Sequence, residues 1–152
     1  MIHGWYLTPP DFDPTQKYPL ILEIHGGPHS AYGNFFSAEL QLLAAQGYIV
    51  FYDNYRGSTS YGAKFASLLQ YKYASRDDFT DHMSGIDEMV KLGFVDENNL
   101  FVAGGSAGGI GAAFAIGLTN RFNAAVAAKP VINWISKTLT ADSSVYQIRH
   151  QF

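Results

Sequence analysis

One serine in this chain is flanked by residues that suit a nucleophile. The run Leu100-Phe101-Val102-Ala103-Gly104-Gly105-Ser106-Ala107-Gly108-Gly109 centres Ser106 in a Gly-x-Ser-x-Gly pattern. An apolar segment precedes it, and Ile110-Gly111-Ala112-Ala113-Phe114-Ala115-Ile116 follows, which reads as a helix. A tight turn between strand and helix would hold the serine oxygen exposed above a sheet, ready to attack a carbonyl. Strand and helix nearly touch at such a turn, so the residues two before and two after the serine must be tiny. Both are glycine. Two other glycine-rich readings fail on register. A dinucleotide fingerprint needs glycines at i, i+2 and i+5, which no frame in 104–117 supplies. A phosphate-cradling loop of the Gly-Lys-Ser/Thr type is excluded because Ile110 follows Gly109.

The order strand, turn, helix resembles the nucleophile elbow of α/β-hydrolases. Attack by a serine creates an oxyanion, which needs two aimed N–H donors. One would be the N–H of Ala107, the residue after the nucleophile. The other fits His25-Gly26-Gly27-Pro28, which follows an apolar run at 20–24 and lies two strands and two helices before Ser106. Glycine lets the backbone approach the substrate, so the N–H of Gly27 is the second candidate donor. Alone, that motif would be an ordinary strand-to-loop turn; its place ahead of Ser106 favours the oxyanion hole.

These groups must be carried by a framework, and the hydrophobic pattern supplies one. Strands are expected at 2–7, 20–24, 48–52, 100–103 and 124–128, and helices at 36–46, 78–92 and 110–116. Phe79, Met83, Ile86 and Val90 make one stripe of the second helix, and Gly47 and Gly93 close the first two. Strands alternating with helices predict an open, mainly parallel sheet and an α/β fold. Glu23 interrupts an otherwise apolar strand, and the sequence offers no partner for it.

Composition bounds the rest. With 152 residues, 47% hydrophobic and 15% charged, the chain is one globular domain at most. A net charge of -3 and no run of Lys or Arg give no reason to expect nucleic acid. Aromatic residues are abundant, with ten Tyr and eleven Phe, and serve mostly as core or pocket wall. Zero Cys excludes disulfides, cysteine nucleophiles and thiolate metal sites, and leaves the compartment open. No stretch is apolar enough to span a membrane, and no metal or organic cofactor is implied.

Four motifs in order make the pattern more specific: His25-Gly26-Gly27-Pro28, Asp53-Asn54-Tyr55-Arg56-Gly57-Ser58, Gly104-Gly105-Ser106-Ala107-Gly108-Gly109 and Lys129-Pro130-Val131-Ile132-Asn133-Trp134. Together they resemble the prolyl oligopeptidase family of serine peptidases, in its acylaminoacyl-peptidase and dipeptidyl-peptidase branch. The resemblance covers nearly the whole chain. It implies an α/β-hydrolase fold and cleavage of short peptides near their N-terminus. Ser106 would be the nucleophile, with the N–H groups of Gly27 and Ala107 as oxyanion donors. Val131, Trp134 and Tyr146 would line the pocket for the side chain before the cut, favouring proline or a small apolar residue. The loop at 54–58 would support the site, with Arg56 paired to a carboxylate such as Asp53 or Asp78. His3, His29 and His82 read as surface or structural residues.

A serine also needs a base and an acid to orient it. Asp142 and His150 follow Ser106 in the right order, but the resemblance places the family's acid and base after two later strands. The chain therefore reads as the first part, residues 1–152, of a hydrolase domain truncated before its last strands, and inactive alone. An apolar strand at 124–128 left as a parallel edge would favour homo-oligomers. Two rival readings are a carboxylesterase or lipase, which shares the elbow, and a non-catalytic hydrolase-like module for binding or assembly.

Overall fold

Periodicity sorts the residues 1–143, which the computed structural model describes, into five strands and five helices. The strands are β1 (His3–Leu7), β2 (Tyr18–Ile24), β3 (Ile49–Asn54), β4 (Val95–Gly105) and β5 (Phe122–Ala128). The helices are α1 (Ala38–Ala45), α2 (Ala63–Ala66, continued by a 3-10 turn at Ser67–Leu69), α3 (Arg76–Lys91), α4 (Ala107–Leu118) and α5 (Trp134–Thr140). One sheet runs in the order β1-β3-β2-β4-β5, with β1 antiparallel to β3 and the other pairs parallel.

The central strands are apolar on both faces because helices cover both. Alternation in β3 divides the core: Ile49 and Phe51 join Leu20, Leu22, Ile24, Ile86, Met89 and Val102 on the side of α3 and α4. Val50 and Tyr52 face the other way, against Leu40 and Ala44 of α1. Helix α3 starts where Ser75 caps it, with the Ser75 N–H bonding Asp78 Oδ1 at 2.7 Å and the Asp77 N–H bonding Ser75 Oγ at 3.1 Å. Helix α4 is built of small residues and lies almost on the sheet. A Cβ on Gly108 would collide with the carbonyl of Ile24, and one on Gly104 with the carbonyl of Gly108. Strand β5 stands at the end of the sheet, and Val126 is 63% exposed. Among the described residues, no helix is long and apolar enough to cross a membrane.

The structure departs from expectation in four places. Strand β4 begins at Val95 rather than 100, because the exposed polar run Asp96–Asn99, folded on itself by an Asn98 N–H to Asp96 Oδ1 bond of 3.0 Å, hides its start. Helices α2 and α5 were not expected; both are short, neither buries a residue, and α5 relies on an Asn133 cap that accepts from Ser136 N–H at 2.9 Å. Arg56 pairs with neither Asp53 nor Asp78. Its Nε and Nη2 make a two-pronged contact with Asp81 at 2.8 and 2.7 Å, and Nη1 lies 3.6 Å from Asp77. His82 is a structural residue, as expected, and is fully enclosed: Nδ1 meets both Asp53 oxygens at 2.9 and 3.0 Å.

Glu23 is 8% exposed, and burial, with the Glu39 carboxylate nearby, pushes its pKa up to about 7. In the unfolded chain it titrates near 4.5. Its contribution to stability is therefore whole below about pH 4.5 and lost as the pH rises through about 7. Glu23→Gln should flatten that decline and gain about 3 kcal/mol at pH 8 over wild type; urea unfolding at pH 5 and pH 8 measures it. Gly108→Ala should lose about 3 kcal/mol or more, since backbone has to move to admit a methyl group. Thermal unfolding followed by circular dichroism reads that loss.

Candidate active site

The parallel register brings the three sequence motifs to one end of the sheet. Ile24 pairs with Gly104 and Gly105 with Ala128, so β2, β4 and β5 release the chain side by side at their carboxyl ends. The segment after β2 is His25-Gly26-Gly27, after β4 comes Ser106, and after β5 come Lys129 and Pro130.

Ser106 occupies a backbone conformation that few residues accept, with φ 58° and ψ −117°. Its N–H bonds the carbonyl of Ala128 at 3.0 Å and its carbonyl accepts from Ile110 N–H at 3.1 Å, which pins the turn between β5 and α4. The result is one exposed residue, Ser106, with Ala107, Gly108 and Gly109 buried behind it. Gly26 packs against this turn: a Cβ there would stand 3.4 Å from Ser106 Cβ and 3.8 Å from the Ala107 nitrogen. Gly27 is exposed beside it at φ 125°, a conformation in which a Cβ would run into the His29 backbone. The Gly26–Gly27 segment thus packs against the Ser106–Ala107 turn.

The loop after β3 braces this arrangement. Asn54 Oδ1 accepts from Tyr32 N–H at 2.7 Å and its Nδ2 donates to Tyr32 O at 3.0 Å, clamping the chain that follows Gly27. Thr59 N–H bonds Ser30 O at 2.9 Å. The buried His25 ring stacks on Tyr55 with centroids 4.6 Å apart. Burial lowers its affinity for a second proton, so the ring is neutral. Nδ1 lies 2.8 Å from the Gly26 carbonyl and Nε2 2.8 Å from Ser58 Oγ, whose hydroxyl donates to the Tyr55 carbonyl at 2.7 Å. For His82, burial opposes a charge, but the carboxylates of Asp53, Asp78 and Asp81 together outweigh it and hold the proton above the ordinary value. Both buried histidines are therefore committed to structural partners. Sequence reasoning missed the roles of Asn54 and Ser58, which lie in a motif it had singled out as support.

Val131 and Trp134 are half-buried beyond the carboxyl end of β5, the side of the sheet where Ser106 stands. Asp142 is exposed in a turn after α5. Tyr146 and His150 lie outside the described residues. Among the described residues, no group of three or more His, Asp or Glu side chains could hold a metal ion.

Residues 34–152 match the profile of the Prolyl oligopeptidase family. An uncharacterized peptidase of Bacillus subtilis, YuxL, is 44% identical over 137 residues, which is 90% of this chain and 21% of the relative. The solved acylaminoacyl peptidase of Pyrococcus horikoshii superposes with a TM-score of 0.89 at 30% identity, covering 98% of this chain and 24% of the other. An acylaminoacyl peptidase in complex with Z-Gly-Gly-Phe-chloromethyl ketone superposes with a TM-score of 0.91, also at 30% identity and with the same coverage. The chain spans about a fifth to a quarter of the length of these relatives. Its mostly parallel sheet and flanking helices are an α/β-hydrolase fold, and the chain belongs to the prolyl oligopeptidase family.

Proposed function

We propose that this chain carries the nucleophile and oxyanion half of a serine peptidase acting on short peptides near their N-terminus. The observation that carries the reading is Ser106 alone exposed, at positive φ, against the backbone of Gly26 and Ala107. In the proposed reaction, Ser106 Oγ gives its proton to a base as it attacks the scissile carbonyl, and the N–H groups of Gly27 and Ala107 hold the oxyanion; the C–N bond then breaks, the amine leaves with that proton, and the acyl group stays on Ser106 as an ester. Water then releases the acyl group. Val131 and Trp134, half-buried after β5, wall the pocket for the residue before the cut in this reading, and Tyr146 is the third member proposed for it. The family match and the likeness to acylaminoacyl peptidases support this substrate class.

The base is a separate matter. His25 and His82 are held by Ser58, Gly26 and Asp53, and neither is free to take the Ser106 proton. On this reading the 152-residue chain by itself is inactive toward peptides, and base and acid come from residues other than these histidines. The exposed strand β5, with Val126, Ile132, Ile135 and Leu139 also exposed around it, is a surface through which copies of the isolated chain associate. No nucleic-acid or membrane partner enters this reading.

A fluorophosphonate probe tests the assignment. In the longest natural chain carrying these residues, labelling should be stoichiometric and vanish in Ser106→Ala; labelling that survives in the variant refutes the nucleophile. The isolated 152-residue chain, folded by circular dichroism, should remain unlabelled. Gel filtration of that chain should show species larger than a monomer, and a stable monomer would refute association through β5.

A further inference from the structure

Beyond the strand ends, the sheet no longer fixes the distance between the two proposed oxyanion donors. The β2–β4 ladder closes at Ile24 and Gly104, whereas the donors are Gly27 and Ala107. Two tyrosines cross this gap. Tyr55, fully buried after β3, donates from its hydroxyl to the carbonyl of His25 at 2.9 Å, two residues before Gly27. Tyr73, half-buried in the loop ahead of α3, donates from its hydroxyl to the carbonyl of Ala107. Each hydroxyl spends its one proton on its carbonyl, and the two phenols stand close enough to interact. The two side chains therefore stand together between the donor segments, one bonded to the His25 carbonyl and the other to the Ala107 carbonyl.

We propose that Tyr55 and Tyr73 form a hydroxyl tie that sets the spacing of the Gly27 and Ala107 donors. The inference rests on the reading of Ser106 as nucleophile and of these two N–H groups as the oxyanion hole. Neither tyrosine touches the substrate; both are positioning residues. Each acts on a peptide unit at a donor segment: a peptide plane is rigid, so fixing its oxygen fixes the orientation of the backbone around it. Ala107 is the first residue of α4, and its carbonyl can accept from Tyr73 as well as within the helix because a carbonyl has two lone pairs. Burial raises the pKa of both phenols, so they remain neutral donors throughout the working range of a peptidase. The rest of the support is one-sided. Asn54 and Ser58 brace the Gly27 side, and Ala128 holds Ser106, but the tyrosine pair joins the two sides.

The test is steady-state kinetics of Tyr55→Phe, Tyr73→Phe and the double variant on an acyl-peptide p-nitroanilide, in the longest natural chain carrying these residues. Rates are expressed per site labelled to completion by fluorophosphonate, so misfolded protein does not count. Each single variant should lower kcat about tenfold with KM within twofold, since a misplaced donor weakens transition-state binding and spares the ground state. The double variant should be no slower than about twofold below the worse single, because one tie can be cut only once. Tyr18→Phe, which removes a hydroxyl bonded to Asp13 N–H at the far end of β2, should leave kcat unchanged. A kcat per labelled site within twofold of wild type in both single variants would overturn the tie while Ser106→Ala still abolishes labelling. Activity and labelling that persist in Ser106→Ala would overturn the nucleophile assignment, and the tie with it.

Discussion

The close approach of α4 to the ends of β2 and β4 is the constraint on which the remainder of this site depends. It exists only because residues 104 and 108 lack side chains, so the backbones of helix and strands can touch. With the helix pressed down, the chain has one residue in which to turn, and that residue is forced to positive φ. The same compression pushes Ser106 outward and draws Ala107 into the fold. A looser packing would free the turn, and the serine would lose its fixed direction. Strain at one residue is thus balanced by helix and sheet contacts spread over many.

A second layer of order comes from the loop after β3, whose polar residues are buried and paired. Asn54, Tyr55 and Ser58 all bond the segment running from His25 to Tyr32, while Arg56 turns away to Asp81 on α3. Each of these groups would be costly to bury without a partner, so the loops have few alternative arrangements that satisfy them. Asp53 and His82 extend the pattern beneath the loop, joining β3 to α3. The arrangement means that the oxyanion segment is held by hydrogen bonds from a neighbouring strand's loop rather than by its own strand ladder.

The parts of this molecule that sequence makes legible are those governed by local rules. The apolar runs of β2 and β3, the stripe of α3 and the glycines around Ser106 each follow from period or from steric need. What escaped were features set by partners distant in the chain. Arg56 could have met any of several carboxylates, and only the packing of α3 chose Asp81. The start of β4 hid behind a polar run because that part of the strand is exposed, so solvent rather than a core shaped its composition. Glu23 looked like an error in a strand and turns out to lie near Glu39, a like charge supplied by α1. Tyr73 carried no signal at all, since one tyrosine among ten in an irregular loop has no period to betray its aim.

These two layers divide the chemistry in a way that bears on how such a site works. On the proposed reading, everything that stabilises negative charge in the transition state lies between residues 25 and 107, in backbone N–H groups held by buried contacts. The groups bonded to the donor segments hold one charge state: the His25 ring stays neutral, and Tyr55 and Tyr73 stay protonated. On this reading these groups keep their charge through the chemical step, whereas the base must change its own. Preorganised dipoles of this kind keep about a thousandfold or more of rate even where a triad is dismantled. The rigid half supplies a fixed electrostatic receptor, and the titrating half decides when it is used.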